Sequence, residues 1–412
     1  MSGFVRAAPR LTVETLRLDD FGALIPRLDR EHPLLWQRRG FGLAGLGEAA
    51  RFEFSGPNRM RDAASAWQGL VAAAAVADPL ARTGTGLLAF GTFAFSDHST
   101  RSSVLIVPSV IFGRDPDGSW MTRIGTSTLS PVPAREPFGD EYRISLLPGA
   151  MTADAYRAAV EAAVARIQGG EMSKVVLARD LLGHLPAGAD LRRAISDLAL
   201  GYPDCWTFAV DGFFGSSPET LVSVYQGSVT ARVLAGSAAR GTDAASDQES
   251  ATALATSTKD QDEHQYAVQS VLAALRVHSP DVTASEVPFT LKLPNLWHLA
   301  SDVDGTLTDG STALDLIASV HPTAAVAGTP TAAALAVIDD LEPFDRGRYA
   351  GPIGWVGADG DGEWAIALRS AQLSADGDVT AYAGAGIVEG SDPQHELMET
   401  KMKFRPIVEA LG

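Results

Sequence analysis

The sequence predicts an α+β fold built on large antiparallel or mixed β-sheets flanked by helices, and three observations lead there. First, two stretches share the outline of a glycine-containing strand, a polar turn and a long apolar strand. They are GLLAFGTFAF with SSVLIVPSVIFGR beyond Ser96–Arg101, and GPIGWVGADGDGEWAIALRSAQL from Gly351 to Leu373. Second, helical patterns fall between strand runs without the regular βαβ alternation of a doubly wound sheet. Third, no low-complexity linker divides the 412 residues. The chain therefore reads as a single compact unit, 1–412, with a weak signature over 1–150 and the chemistry in 151–412. The shared hairpin outline also suggests an internal duplication.

In chain order, residues 1–80 mix short apolar runs with proline and charge, and Ala63–Ala77 reads as a helix with a broad apolar face. The first hairpin follows. Thr152 is placed to begin a helix striped by Tyr156, Val160, Val164 and Ile167 and closed by Gly169–Gly170. The strand KVVLARDLL comes at once from Lys174, then strand-like TFAVDGFFG and LVSVYQGSVTARVL. Helices are expected over about Lys259–Arg276, Ala313–Val320 and Ala332–Leu341, and a last helix ends the chain.

Composition narrows the function. A hydrophobic content of 46% supports a large core. No uninterrupted apolar stretch reaches the roughly 18 residues of a membrane span, and the opening MSGFVRAAPRL lacks the apolar centre of a leader. A cytoplasmic location without membrane contact is expected. The single cysteine, Cys205, excludes an intramolecular disulfide and any cysteine-clustered metal site, and its neighbours Trp206 and Phe208 suggest a buried thiol. A net charge of −17 argues against nucleic-acid binding and favours small-molecule chemistry.

The densest chemistry lies in GAGIVEGSDPQHELMETKMK, Gly384 to Lys403. A glycine-rich turn precedes a helix on which Glu396, Glu399 and Lys403 share one face through i,i+3 and i,i+4 spacing. Carboxylates, an ammonium and backbone N–H groups together suit a hard divalent cation and an anionic substrate. An ordinary surface helix with Glu–Lys support would read the same way. In STKDQDEH, Ser257 can cap a helix whose first turn carries Asp260, Asp262 and Glu263, favourable with the helix dipole even without function. Lys174 opens an apolar strand, where a lysine usually caps into solvent. As a general base it would need burial and a nearby cation, such as Arg179 or Arg369, to lower its pKa. Glu219 follows Ser-Ser-Pro in a turn, and an apolar enclosure there would raise its pKa and let it act as an acid.

Taken in order, KVVLARD, FFGSSPETLV, LAGSAARG, STKDQDEHQYAV, LPNLWHLASDVDG, HPTAAVAGTP, RYAGPIGW, IALRSA and the Gly384 segment resemble the chorismate-utilising enzymes. That family includes isochorismate, salicylate, anthranilate and aminodeoxychorismate synthases. The likeness spans roughly residues 150–412, and the agreement of nine short motifs makes it specific. It implies a fold like that of anthranilate synthase component I. It implies Lys174 as base and Glu219 as acid, Glu263 and Glu399 as ligands of Mg²⁺, and Glu396 behind them holding a metal-bound water. Arg369, Lys403 and the amides of Gly384, Ala385 and Gly386 would receive substrate carboxylate, His298 would lie in the site, and the HPT stretch with Thr323 would border the substrate ring.

Family members that add an amino group, using ammonia from an amidotransferase, usually have an uncharged residue in place of this lysine, so Lys174 implies water. The isochorismate synthase branch follows, serving menaquinone or siderophore biosynthesis as a monomer or homodimer with no obligatory amidotransferase partner. Salicylate synthases share the step and then eliminate pyruvate; HPTAAVAG, where they typically begin Phe-Pro, favours isochorismate. LAGSAARG departs from the usual LAGTRPRG by an arginine and a proline. Two decoys remain. Asp302-Val-Asp304-Gly resembles a phosphatase nucleophile motif but lies late in the chain after a weakly apolar strand. Gly384-Ala-Gly386 lacks the third glycine of a dinucleotide fingerprint.

Overall fold

The computed structural model describes residues 10–126 and 128–412. The opening Met1–Pro9, part of the segment read above as lacking a leader, lies outside the described residues. Strands gather into two sheets, one of thirteen strands and one of ten. Pairing is antiparallel in every described ladder except Thr12–Leu18 beside Ala75–Ala77, which runs parallel and makes the larger sheet mixed. Each sheet draws strands from both the first 150 residues and the rest.

The larger hydrophobic cluster joins the two sheets, with Trp36, Phe208 and Phe213 from one and Phe90, Trp355 and Trp364 from the other. A second cluster covers the opposite face of the larger sheet. There Leu35, Ala209, Phe214 and Ala381 meet helix Arg192–Gly201 and the terminal helix Pro393–Leu411. With both faces of the larger sheet covered, its strand Trp206–Val210 is buried at every position, as is Ser103–Val107 of the smaller sheet. Their sequences are accordingly near-continuous apolar runs, broken only by Ser103 and Thr207, rather than alternating.

Both hairpin runs change sheets midway. SSVLIVPSVIFGR, expected as one strand, is divided at Pro108. Ser103–Val107 pairs within the smaller sheet and Val110–Asp115 within the larger. Proline has no N–H to continue a ladder. The second run likewise leaves the smaller sheet after Gly362–Ile366 and enters the larger at Ser370–Leu373. Arg369, at the crossing, has φ +50°. The two hairpins are neighbours, because Leu88–Thr92 pairs with Pro352–Gly357.

Thr152 caps helix Ala153–Gln168 as expected, accepting from the Ala155 amide, and Ser257 caps Thr258–Leu275 through the Asp260 amide. The helix expected at Ala63–Ala77 runs Arg59–Ala73 instead. Its start is anchored by Arg59, which donates to the carbonyls of Ala94 and Phe95, and its expected end is taken by the short strand Ala75–Ala77. Helices Arg192–Gly201 and Ala244–Thr256 were not anticipated. No helix among the described residues is long and apolar enough to cross a membrane.

Candidate active site

Where strand Asp378–Ile387 emerges beside Lys174–His184, a cavity of about 60 Å³ opens. It is closed on other sides by the loop after Phe213–Ser217, strands Ser228–Ala239 and Leu296–Thr306, and helices Thr258–Leu275 and Pro393–Leu411. Glu219, Gly236, Glu263, His298, Arg369, Gly384, Gly386, Glu399 and Lys403 all line it.

Glu219 is buried, and burial pushes its carboxyl up to about 8. The Leu234 amide, 3.4 Å away, and the cations Lys174, Lys403 and Arg369 only partly offset that cost. A carboxylic acid that stays protonated at neutral pH is what a general acid requires. The expected burial is present, although the walls carry charged as well as apolar groups.

Lys174 is wholly buried, against the usual fate of a strand-opening lysine. Its Nζ lies 3.0 Å from Glu263 Oε1 but makes no well-directed hydrogen bond among the described residues. The expected cationic neighbour is not what touches it. Arg179 instead reaches the Thr400 hydroxyl and stacks between Tyr156 and Phe404. Lys174 is also absent from the cavity wall, because Glu263 covers it. Glu263 belongs to the second turn of its helix rather than the first. It lies across Gly386 so closely that a Cβ there would displace its carboxylate.

On the terminal helix, Lys403 Nζ is 2.6 Å from Glu399 Oε1 and donates to the Gly384 carbonyl at 2.9 Å. Burial raises the Glu399 pKa, but Lys403, the Ser237 hydroxyl and Lys259 outweigh it and hold the group below its usual value. Glu396 is raised by burial and then by Glu399, and is tied to Lys259 at 3.2 Å. It stands behind the wall rather than in it.

The three expected amides are not equivalent. Residues Gly384–Ile387 face Ala178–Val175 in register, and the amides of Val176 and Ala178 turn outward to Ala327 and Glu342. Alternation along the ladder then assigns the Ala385 N–H to Leu177 and leaves those of Gly384 and Gly386 facing the cavity.

Arg369 donates to His298 Nε2 at 3.0 Å, and His298 Nδ1 lies 3.1 Å from the Gly236 carbonyl. Burial, followed by the charges of Arg369 and Lys403, holds His298 well below its ordinary pKa.

Three residues of the quoted motifs lie off the cavity wall. Thr323 is buried with its hydroxyl unpartnered among the described residues, and it is Ala325 and Val326 of that loop that reach the cavity. His321 bonds the Phe95 carbonyl in a separate pocket, and burial takes its pKa down to about 3. Arg348, which opens RYAGPIGW, clamps the Ser102 carbonyl and Asp211. Its neighbour Tyr349 lines the site. Sequence reading also missed Arg346, which is buried, forks onto Glu342 at 2.6 and 2.8 Å, and ties the Val176 and Val326 carbonyls. The departing loop is held by Arg240, paired with Asp247 at 2.6 Å, while Ala238 and Ala239 simply extend the strand. The phosphatase decoy fails, since Asp302 is bound bidentately by Arg232 in mid-strand.

No group of three or more His, Cys, Asp or Glu side chains among the described residues is gathered as a metal nest. Two carboxylates on one cavity, Glu263 and Glu399, nonetheless suit Mg²⁺, which takes one or two protein carboxylates and fills its shell with water and substrate oxygens.

A family model described as chorismate binding enzyme matches residues 12–123 and 134–412, so the likeness begins far ahead of the motif-rich region. The isochorismate synthase DhbC of Bacillus subtilis (strain 168) is 40% identical over 286 residues, 66% of this chain and 71% of its own. Among solved structures, the menaquinone-specific isochorismate synthase MenF of Escherichia coli aligns with a TM-score of 0.80 at 25% identity, covering 98% of this chain and 96% of that one. Anthranilate synthase component I of Streptococcus pneumoniae TIGR4 shares the fold with a TM-score of 0.66 at 21% identity, over 99% and 95% of the two chains. The predicted fold class is the observed one, and with a family match over nearly its whole length the chain belongs to the chorismate binding enzymes.

Proposed function

We propose that this chain is an isochorismate synthase, converting chorismate to isochorismate with water as nucleophile. The observation that supports this reading is a buried carboxylic acid, Glu219, whose pKa is about 8, on the wall of a cavity behind which a buried amine, Lys174, lies against Glu263. Lys174 takes a proton from water as the oxygen bonds to C2, both ring double bonds shift by one position toward C4, and the C4 hydroxyl departs as water on receiving the Glu219 proton. For Lys174 to meet that water, the Glu263 carboxylate must move off Nζ. The dicarboxylate substrate is received by Arg369 and Lys403, with the amides of Gly384 and Gly386 completing one pocket. Mg²⁺ held by Glu263 and Glu399 would supply a charge that binds and orients the ring carboxylate.

Because water serves as nucleophile, the reading needs no amidotransferase partner, and it is consistent with a cytoplasmic enzyme working as a monomer or homodimer. The whole chain acts as one unit in it, since both sheets use strands from both ends of the sequence. Incubating the purified protein with chorismate and Mg²⁺ and separating the products tests it. Isochorismate is expected to accumulate. Salicylate and pyruvate at a comparable rate would assign the chain to the lyase branch, and turnover only with ammonia would overturn water as the nucleophile.

A further inference from the structure

His298 has neighbours that leave it one protonation state. The Gly236 carbonyl can only accept, so Nδ1 carries the hydrogen; a guanidinium can only donate, so Nε2 is bare. Both ring nitrogens are thereby occupied by protein, with neither left to exchange a proton with a substrate. Arg369 in turn has a backbone in the left-handed region, φ +50°, a conformation costly for a residue with a Cβ and kept only where the surroundings enforce it. Its side chain is buried with no carboxylate partner among the described ion pairs. What holds the fork in place is the histidine.

From this geometry we infer that His298 is a positioning residue, a neutral clamp that aims the Arg369 guanidinium at a substrate carboxylate and takes no part in proton transfer. The clamp also ties Arg369 to the bulge at Gly236 in strand Ser228–Ala239, where φ is +76°. The next residue, Ser237, supports Glu399. Carboxylate recognition and the proposed metal ligand are thus both braced by one strand bulge. Arg369, Lys403 and His264 are the charged or titratable groups facing the ring, and each disfavours an imidazolium in addition to the burial that leads. The inference rests on the proposed reaction only for the identity of the carboxylate.

Two substitutions at His298, an Arg369→Leu background and one spectrum test it. His298→Gln places an amide oxygen near the position of Nε2, whereas His298→Leu fills the space and accepts nothing. His298→Leu should raise KM for chorismate about 10–100-fold, the range expected for losing a hydrogen bond to a charged group, with a smaller change in kcat. His298→Gln should recover most of that loss. In an Arg369→Leu background, adding His298→Leu should cost little more, since the clamp then has nothing to aim. Both limbs of the pH profile should survive in each folded variant. In the ligand-free wild type, ¹⁵N NMR should report one protonated and one bare ring nitrogen on His298 from pH 5 to 9. A ring that titrates near neutrality, His298→Gln as impaired as His298→Leu, or a lost pH limb with unchanged KM would overturn the clamp. If the wild type makes no isochorismate, the reaction assignment falls separately, and the NMR arm still decides the clamp.

Discussion

Lys174 Nζ and Glu263 Oε1 lie 3.0 Å apart with the lysine fully buried, so the amine proposed as base is covered by a carboxylate proposed as metal ligand. Each group compensates the other's burial, and removing one leaves an uncompensated charge. A nearly isosteric apolar replacement leaves the Glu263 carboxylate unpaired as truncation does, but it fills the volume that truncation would empty. Lys174→Met should lower kcat on the order of 10²–10⁴-fold with little change in KM, because proton transfer is lost while the carboxylate contacts remain. Steady-state kinetics beside a thermal melt checks this. A folded variant with wild-type kcat would remove Lys174 from the chemistry.

Metal dependence should run through Glu399 more than through Glu396, because only the former lines the cavity. Glu399→Gln should raise the Mg²⁺ concentration needed for half-maximal activity at least about tenfold, as expected when a carboxylate ligand becomes a neutral amide. Titration calorimetry with Mg²⁺ in the presence of chorismate supplies a reading independent of turnover. Equal metal affinity in Glu399→Gln and wild type would move the site elsewhere.

Much of this site could be read from the chain, and the unread part has definite physical causes. Glu219, Glu399 and Lys403, which line the cavity, were legible as candidates because local context singles them out, a turn between strands and i,i+4 spacing on one helix, while their proposed roles came from the family resemblance. The masking of Lys174 was not, since it depends on a helix beginning at Thr258, 84 positions along, laying Glu263 across it. Ala385 looked equivalent to its neighbours because sequence does not say which N–H groups a ladder consumes. Arg346 escaped notice for a related reason. Its partner Glu342 is only four residues away, a pair that reads as exposed helix support, yet both are buried beneath strand Lys174–His184. At Pro108 the signal for the sheet crossing was present in the sequence and was passed over. Helix Ala244–Thr256 carried the Asp243–Ser246 capping box, but its Ala, Ser and Thr residues offer no apolar stripe.

The glycine at 386 offers a test confined to backbone space. A Cβ there would overlap Glu263 Oε1 and lie 3.1 Å from Lys174 Cε, whereas Gly390, four residues on, has nothing within 4 Å. Gly386→Ala should therefore impair Mg²⁺ affinity and turnover together, by about 10-fold or more, as small misplacements in a reaction site do. Gly390→Ala should behave as wild type. Identical kinetics for the two variants would mean that Glu263 moves aside without consequence.

The last prediction concerns pH and rests on Glu219, whose carboxyl is raised from 4.5 to about 8 by burial. As the proposed acid it must enter the reaction protonated, so kcat/KM should fall as pH rises through about 8, and Glu219→Gln should lose that alkaline limb along with most of its activity. The same shift has a thermodynamic consequence whose sign is opposite to that of a salt-bridged carboxylate. Between about pH 4.5 and 8 the folded chain holds a proton on Glu219 that the unfolded chain has released. Unfolding then releases a proton, and stability from this group declines as pH rises across that window. It is fully present below 4.5 and lost once pH passes about 8. The amide of Glu219→Gln stays neutral throughout, so the stability of that variant relative to wild type should improve steadily from about pH 5 to 8 in urea titrations. A difference that stays flat over this range, or that moves in the opposite direction, would mean that Glu219 is ionised in the folded protein and cannot be the acid.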